Sequence, residues 1–244
     1  MKDLPLVITA CVFSRPDVYY KTLESYKTVR GIRSVLYLPV FEAGYNPECL
    51  HILEEAMDSN VGWLVAEPIF NDHKLGVDHN TWHAVGLGFE YAETIIHAED
   101  DILWCPDTLE FFQWGLKNYK NDKTVFTIGG HNSDGRSGFR VPESQYYSVY
   151  REPWFTPWGW ATWEDRYEQI LATEPLANQQ GWDFTMNHVV RNNRYVIRPR
   201  YSRTKHIGIR GVHVDGSEWA IDEAGDRDWA GKIPISSSPF YEET

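Results

Sequence analysis

An α/β fold, with a mostly parallel sheet flanked by helices, is the architecture this sequence predicts, and three observations predict it. Short apolar or β-branched runs alternate with helix-length stretches through the first half of the chain. The first run, Pro5 to Phe13, is apolar almost throughout, as in a strand buried on both faces. Charged residues gather directly after such runs, with Arg15 after the first and Glu99, Asp100 and Asp101 after a later one. The carboxyl ends of parallel strands are where open α/β sheets bind ligands.

In chain order, Ser14-Arg15-Pro16-Asp17 opens a helix through about Thr28, with proline in its first turn. Ser34 to Val40 reads as a second strand, Pro47 to about Ser59 as a helix and Gly62 to Ala66 as a third strand. Phe70 to Gly76 is polar and loop-like and carries Lys74; Val77 to Tyr91 is helical, with His79 and Asn80 at its start. Thr94 to Ile96 is a buried strand running into the three acids, and Asp107 to Tyr119 an aromatic-rich helix. Lys123 to Gly129 is a strand, and His131 to Gly138 a Gly/Asp/Ser-rich loop. Tyr146 to Tyr150 reads as a strand of a different sheet edge, and Pro153 to Trp163 as a dense aromatic loop leading into a helix to about Leu171. A helix over Gly181–Val190 and a short strand over Tyr195–Pro199 follow, and Ser202 to Thr244 reads as loops. Without an internal repeat or a linker, residues 1–244 are expected to form one domain.

The composition, 42% hydrophobic and 24% charged, is that of a globular chain, and its net charge of −12 argues against a broad phosphate-gripping surface. Cys11, Cys49 and Cys105 fit neither a disulfide framework nor a zinc spacing, and no apolar run approaches the length of a membrane span. The expectation is a soluble, cytoplasmic protein with reduced cysteines and no membrane insertion. Eleven Trp and 14 Tyr offer flat faces suited to sugars or bases, although packing is their commoner use.

Three adjacent acids at the end of a buried strand repel one another and resist desolvation, which a bound cation would relieve. An acidic turn before a helix capped by Asp107 is the plainer alternative. Arg15 could contact a nucleotide or pair with Asp17 or Glu24; Asn80 could cap its helix. Gly159 between Trp158 and Trp160 suggests a close backbone approach beside a flat slot. Arg198, Arg200, Arg203, Lys205 and Arg210 form the concentrated basic stretch of an acidic chain, available to a diphosphate or to an anionic acceptor.

Taken in order, Leu6-Val-Ile-Thr-Ala-Cys11 with Arg15-Pro16, Lys74 through His79 and Trp82, Glu99-Asp-Asp101, Trp154 to Trp163, Trp182-Asp183 and Ile197 to Thr204 with Gly208 and Gly211 resemble the GT-A class of nucleotide-sugar glycosyltransferases. The likeness is greatest to the Golgi N-acetylglucosaminyltransferase I type and to bacterial sugar transferases with an aromatic WGWATW signature. It implies a GT-A, Rossmann-like sheet, with a nucleotide-sugar half over about residues 1–130 and a smaller acceptor half over about 131–244. It also implies a nucleoside-diphosphate sugar donor and Mn²⁺ or Mg²⁺. Asp101 then matches the metal ligand, Glu99 and Asp100 hold metal waters and the ribose, Arg15 lies near the nucleotide and His79 beside the base. Lys74, Asn80, Trp158 and Arg203 join the donor-binding set, and Asp183 matches the catalytic base of an inverting transfer. His213 is the expected second metal ligand, with His206 as its competitor. The Golgi enzymes carry a membrane anchor that this sequence does not show, so compartment and acceptor do not carry over. The acceptor is expected to be a saccharide, or alternatively a modified DNA base; a nucleotidyltransferase or a non-catalytic lectin are the rival classes. Val12-Phe-Ser-Arg-Pro16 lacks the glycine- and lysine-rich loop of the former, and the latter gives Glu99 to Asp101 and Asp183 no task.

Overall fold

The computed structural model describes residues 4–59, 62–132, 141–170, 181–208 and 239–243. Strand β1 (Val7–Val12) is buried along nearly all its length, as its apolar run requires, and pairs in parallel with β2 (Leu36–Phe41) and β4 (Thr94–Glu99). Helix α1 (Pro16–Tyr26) follows β1, and α2 (Pro47–Ser59) follows β2 with the bounds the sequence indicates. The expected third strand over Gly62–Ala66 is not one: only Val65 forms a bridge, to Tyr37. The edge strand is instead the two-residue β3 (Ile69–Phe70), in parallel with β2.

Helix α3 (Gly76–Tyr91) packs on β1 and returns the chain to β4. β5 (Ile102–Trp104), α4 (Thr108–Asn118) and β6 (Val125–Gly129) follow. β7 (Ser148–Glu152) lies toward the opposite edge of the same sheet, joined to β1 through β9 (Tyr195–Pro199), β6, β8 and β4.

The largest departure from expectation is β8 (Trp160–Trp163), which falls in the supposed aromatic loop. It inserts antiparallel between β4 and β6, with Ala161 opposite Ile96 and Ile128, and so ties the two halves of the chain into one sheet. Trp160 and Trp163 are core residues; Trp154, at 49% exposed, is not. Pro153 to Gly159 masks this strand in the sequence, because the hydrogen-bonding partners that make it one come from elsewhere.

The short helices α5 (Glu164–Ile170) and α6 (Trp182–Thr185) follow, the latter continuing into a π-helical turn at Met186–Val190. β10 (Thr204–His206) pairs antiparallel with β5 as a separate two-stranded sheet, and β11 (Tyr241–Glu242) lines the far edge beside β7. Among the described residues no helix is long and apolar enough to cross a membrane.

Candidate functional site

The acids of the triplet stand where β4 ends, beside the carboxyl end of β1. Glu99 closes β4 and is half-buried; Asp100 and Asp101 turn the chain into β5 and are buried. Arg15, at the turn from β1 into α1, pairs with Asp100 Oδ1 through Nη2 and lies 2.7 Å from Asp101 Oδ2 through Nη1. The Phe13 N–H donates to Asp100 at 3.4 Å, and the Thr22 hydroxyl donates to the Asp100 carbonyl at 2.9 Å. Part of the positive charge these acids need is therefore supplied by the chain itself. Arg15 does not pair with Asp17 or Glu24 in any described ion pair; it faces the triplet.

The pairing of β10 with β5 brings a histidine to the same place. The Ile207 N–H donates to the Asp101 carbonyl at 2.9 Å, and His206 Nε2 stands 3.2 Å from Asp101 Oδ2, both side chains nearly fully buried. Trp158 stacks on His206 with ring centroids 4.8 Å apart and planes 13° apart, while His131 meets Trp158 edge-on at 4.7 Å. His213, the histidine first expected at the metal, lies outside the described residues.

Burial would raise the Asp101 pKa, but His206 and Arg15 outweigh it and hold the carboxyl down at about 2. At Asp100 burial prevails over Arg15 and, with Asp101 alongside, lifts the group to about 6. Glu99 is pushed up to about 8 by burial and by repulsion from Asp101, and Asp183 adds to the rise. The Asp183 carboxylate is therefore within electrostatic reach of Glu99.

Asp183 sits in α6 after Gly181, whose φ of +101° suits glycine alone. The Trp182 N–H donates to Asp78 Oδ1 at 2.7 Å, and Asn187 Nδ2 donates to the Asp183 carbonyl at 3.1 Å. Among the other predicted residues, Lys74 is exposed and lies over the Phe13 ring, 5.1 Å from its centroid, at the end of β1. His79 is exposed on the first turns of α3. Asn80, within α3, is buried and accepts from Asn71 Nδ2 at 2.8 Å, so its oxygen ties the helix to the preceding loop rather than capping it.

Arg203 corrects the expected donor-binding set. It is 1% exposed, its Nε pairs with buried Asp107 at 3.1 Å, and its two Nη groups donate to the Tyr201 and Tyr146 carbonyls. The guanidinium that looked available to a diphosphate is spent on holding loops together. Of the rest of the stretch, Arg198 is buried and donates to the Trp154 carbonyl and Thr156, while Arg200, 33% exposed, pairs with Glu243 at 2.7 Å and Lys205 is half-buried. No open basic groove follows from these arginines.

Two residues that sequence reasoning passed over shape the site. Glu42, directly after β2, is 3% exposed and accepts the N–H groups of Leu75 at 3.0 Å and Gly76 at 2.7 Å, fixing the start of α3. Asp78 ties α3 to Trp182. The available signal was an acid directly after an apolar strand for Glu42; for Asp78 there was none, because its partner lies 104 residues away.

The residues present fit a divalent cation. Asp101 Oδ1 is buried without a hydrogen-bond partner. A Cβ at Gly208 would fall 2.2 Å from Asp101 Oδ2 and 2.9 Å from His206 Nε2, so the backbone closes on this pair as only glycine permits. Among the described residues no group of three or more His, Cys, Asp or Glu forms a complete cage. One carboxylate and one imidazole are ligand types that such an ion accepts.

Residues 77–216, more than half of the chain, match the GNT-I family. An alpha-1,3-mannosyl-glycoprotein 2-beta-N-acetylglucosaminyltransferase of Arabidopsis thaliana is 26% identical over 135 residues, which are 54% of this chain and 29% of the plant enzyme. The fold is similar to that of Staphylococcus aureus TarS 1-349 in complex with UDP-GlcNAc, with a TM-score of 0.62, 13% identity and coverage of 86% of this chain and 60% of that one. It is also similar to mannosyltransferase PcManGT from Pyrobaculum calidifontis in complex with GDP-Man and Mn²⁺, with a TM-score of 0.57, 15% identity and coverage of 80% and 54%. The chain thus spans under a third of the plant relative and somewhat over half of the two solved proteins. The mostly parallel α/β sheet is that of GT-A glycosyltransferases, and by the match over residues 77–216 the chain belongs to the GNT-I family.

Proposed function

We propose that this chain is an inverting glycosyltransferase that moves a sugar from a nucleoside-diphosphate sugar to a saccharide hydroxyl, with Mn²⁺ or Mg²⁺ held at Asp101 and His206. The observation that carries the reading is the meeting of Arg15, Asp101 and His206 at the strand ends, and the Asp183 charge is felt at Glu99 of the same triplet. When bound, the cation supplies Lewis-acid stabilisation of the diphosphate leaving group. His213 remains a candidate for the same ion.

Arg15 is placed to approach the diphosphate from the β1 turn, and Lys74, exposed over Phe13, brings a second positive charge to the donor. Glu99 and Asp100 hold metal waters and the ribose, His79 flanks the base, and Trp158 offers a flat wall beside His206. Asp183 accepts the proton of the attacking hydroxyl. With the base on the far side of the sugar from the diphosphate, a single displacement inverts the anomeric centre. The internal engagement of Arg198, Arg200 and Arg203 favours the saccharide acceptor over a modified DNA base.

A thermal-shift screen with UDP-GlcNAc and GDP-Man, the donors seen with the two solved relatives, tests the reading. Ligands that bind only the native state raise its melting temperature. The expected result is a shift by one nucleotide sugar that needs Mn²⁺ and is lost in Asp101→Ala, together with retained donor binding but slow turnover in Asp183→Asn. A metal-independent sugar shift that survives Asp101→Ala would instead identify a lectin.

A further inference from the structure

Trp182, the residue directly before Asp183, is held by a residue from the other half of the chain. Asp78 stands on the first turn of α3, and its Oδ1 accepts the Trp182 N–H at 2.7 Å. That N–H opens α6, a helix of four residues, where no preceding turn supplies an acceptor. The Trp182 indole also packs edge-on against Trp82 of α3, with centroids 6.2 Å apart. Backbone and side chain of Trp182 thus both meet α3, and the indole packs as well against His97, Phe155 and Trp160. That helix is in turn fixed at its start by Glu42, which follows β2 and accepts the Leu75 and Gly76 N–H groups. A continuous set of contacts therefore runs from the sheet through α3 to Trp182 and its neighbour Asp183.

We propose that Asp78 is a positioning residue: it sets the Asp183 carboxylate relative to a donor bound at the strand ends, and so governs the rate of transfer rather than donor binding. The inference rests on the reading of Asp183 as the base. A helix of four residues has little stability of its own, and Gly181 before it is conformationally permissive, so α6 depends on outside contacts for its position. A misplacement of about 1 Å at a reacting group costs on the order of 100-fold in rate. With the indole still packed, loss of the Asp78 acceptor frees the backbone at the start of α6, where a shift of that size moves Asp183.

The experiment measures UDP release from UDP-GlcNAc with Mn²⁺, by donor hydrolysis, for Asp78→Ala, Asp78→Asn, Asp78→Glu, Asp183→Asn and the double variant Asp78→Ala/Asp183→Asn. Expected is a fall in kcat of at least about tenfold for Asp78→Ala with less than about a twofold change in donor KM. Asp78→Asn, which keeps an acceptor oxygen, should recover most of the rate. Asp78→Glu keeps the charge but moves the oxygen by one methylene, and it should lose rate as Ala does, which decides the matter if the Ala variant folds poorly. The double variant should be no slower than Asp183→Asn. Hydrogen exchange supplies an arm independent of activity, with the Trp182 amide losing protection in Asp78→Ala and keeping it in Asp78→Asn. Parental kcat in both the Ala and Glu variants, additive losses in the double variant, or unchanged Trp182 protection in Asp78→Ala would each overturn the proposal. Parental turnover in Asp183→Asn would instead remove the base itself, an outcome distinct from a slow Asp183→Asn beside a fast Asp78→Ala.

Discussion

Replacing Arg15 with Met keeps the length of the side chain and withdraws the guanidinium from between Asp100 and Asp101. The two acids are 5% and 3% exposed at their side chains and Arg15 is 26% exposed, so the pairs are largely shielded from water. Deleting one partner of a buried ion pair costs about 3–5 kcal/mol, because the remaining charge is left uncompensated. The partial exposure of Arg15 brings the expectation to the lower end, about 3 kcal/mol. For a chain of this size that corresponds to a fall in Tm of roughly 6–12 °C. The assay is thermal unfolding of parent and Arg15→Met, each with and without Mn²⁺. If charge is the cause, Mn²⁺ should raise the Tm of the variant more than that of the parent, since the ion enters the field that Arg15 leaves. A metal-free variant melting within about 2 °C of the parent, or equal Mn²⁺ shifts in both, would refute the reasoning.

Three further outcomes are expected. Glu42→Ala leaves the Leu75 and Gly76 N–H groups without their acceptor and should lower unfolding free energy by about 2–4 kcal/mol in urea titrations, with Glu42→Gln losing less than half of that; equal losses in both would contradict the hydrogen-bond account. Gly208→Ala places a Cβ 2.2 Å from Asp101 Oδ2 and should abolish the Mn²⁺-dependent shift by nucleotide sugar, so a parental shift would show that the 208 backbone does not close on the pair. His97 in β4 is fully buried, bonded at Nδ1 to Thr9 at 2.9 Å, and burial pushes its pKa down from 6.5 to about 3. Below pH 6.5 the unfolded chain therefore takes up a proton here that the folded chain refuses, and stability falls by about 1.4 kcal/mol per pH unit as the pH drops toward 3. Denaturant titrations of parent and His97→Gln from pH 7 to pH 5 should show that slope reduced in the variant, and identical slopes would exclude His97 as its source.

Much of the sheet and its helices was legible because their signals are local. Pro47 opens α2 and the helix ends at Ser59 as its pattern indicates; β1 is a continuous apolar run; β9 matches Tyr195–Pro199. The acid triplet at the end of β4 stands out for the same reason, since buried like charges demand an explanation at the residues where they occur. β8 was not legible. Its four residues follow prolines and a glycine, and they form a strand because β4 and β6 flank them. β5 and β10, at three residues each, are too short to show a period.

By itself the sequence determined the alternation of strands and helices, the cluster of acids after β4 and the family resemblance, all of which depend on residues close in the chain. The tertiary structure alone decided which charges are available. Arg15 and Arg203 look alike in sequence, yet one faces Asp100 and Asp101 while the other is sealed against Asp107. The register of β10 on β5, rather than any local pattern, carries His206 to Asp101. Asp78 meets Trp182 across 104 residues. Electrostatic and hydrogen-bonding roles depend on the partner, and at this site the partners are brought together only when the sheet assembles.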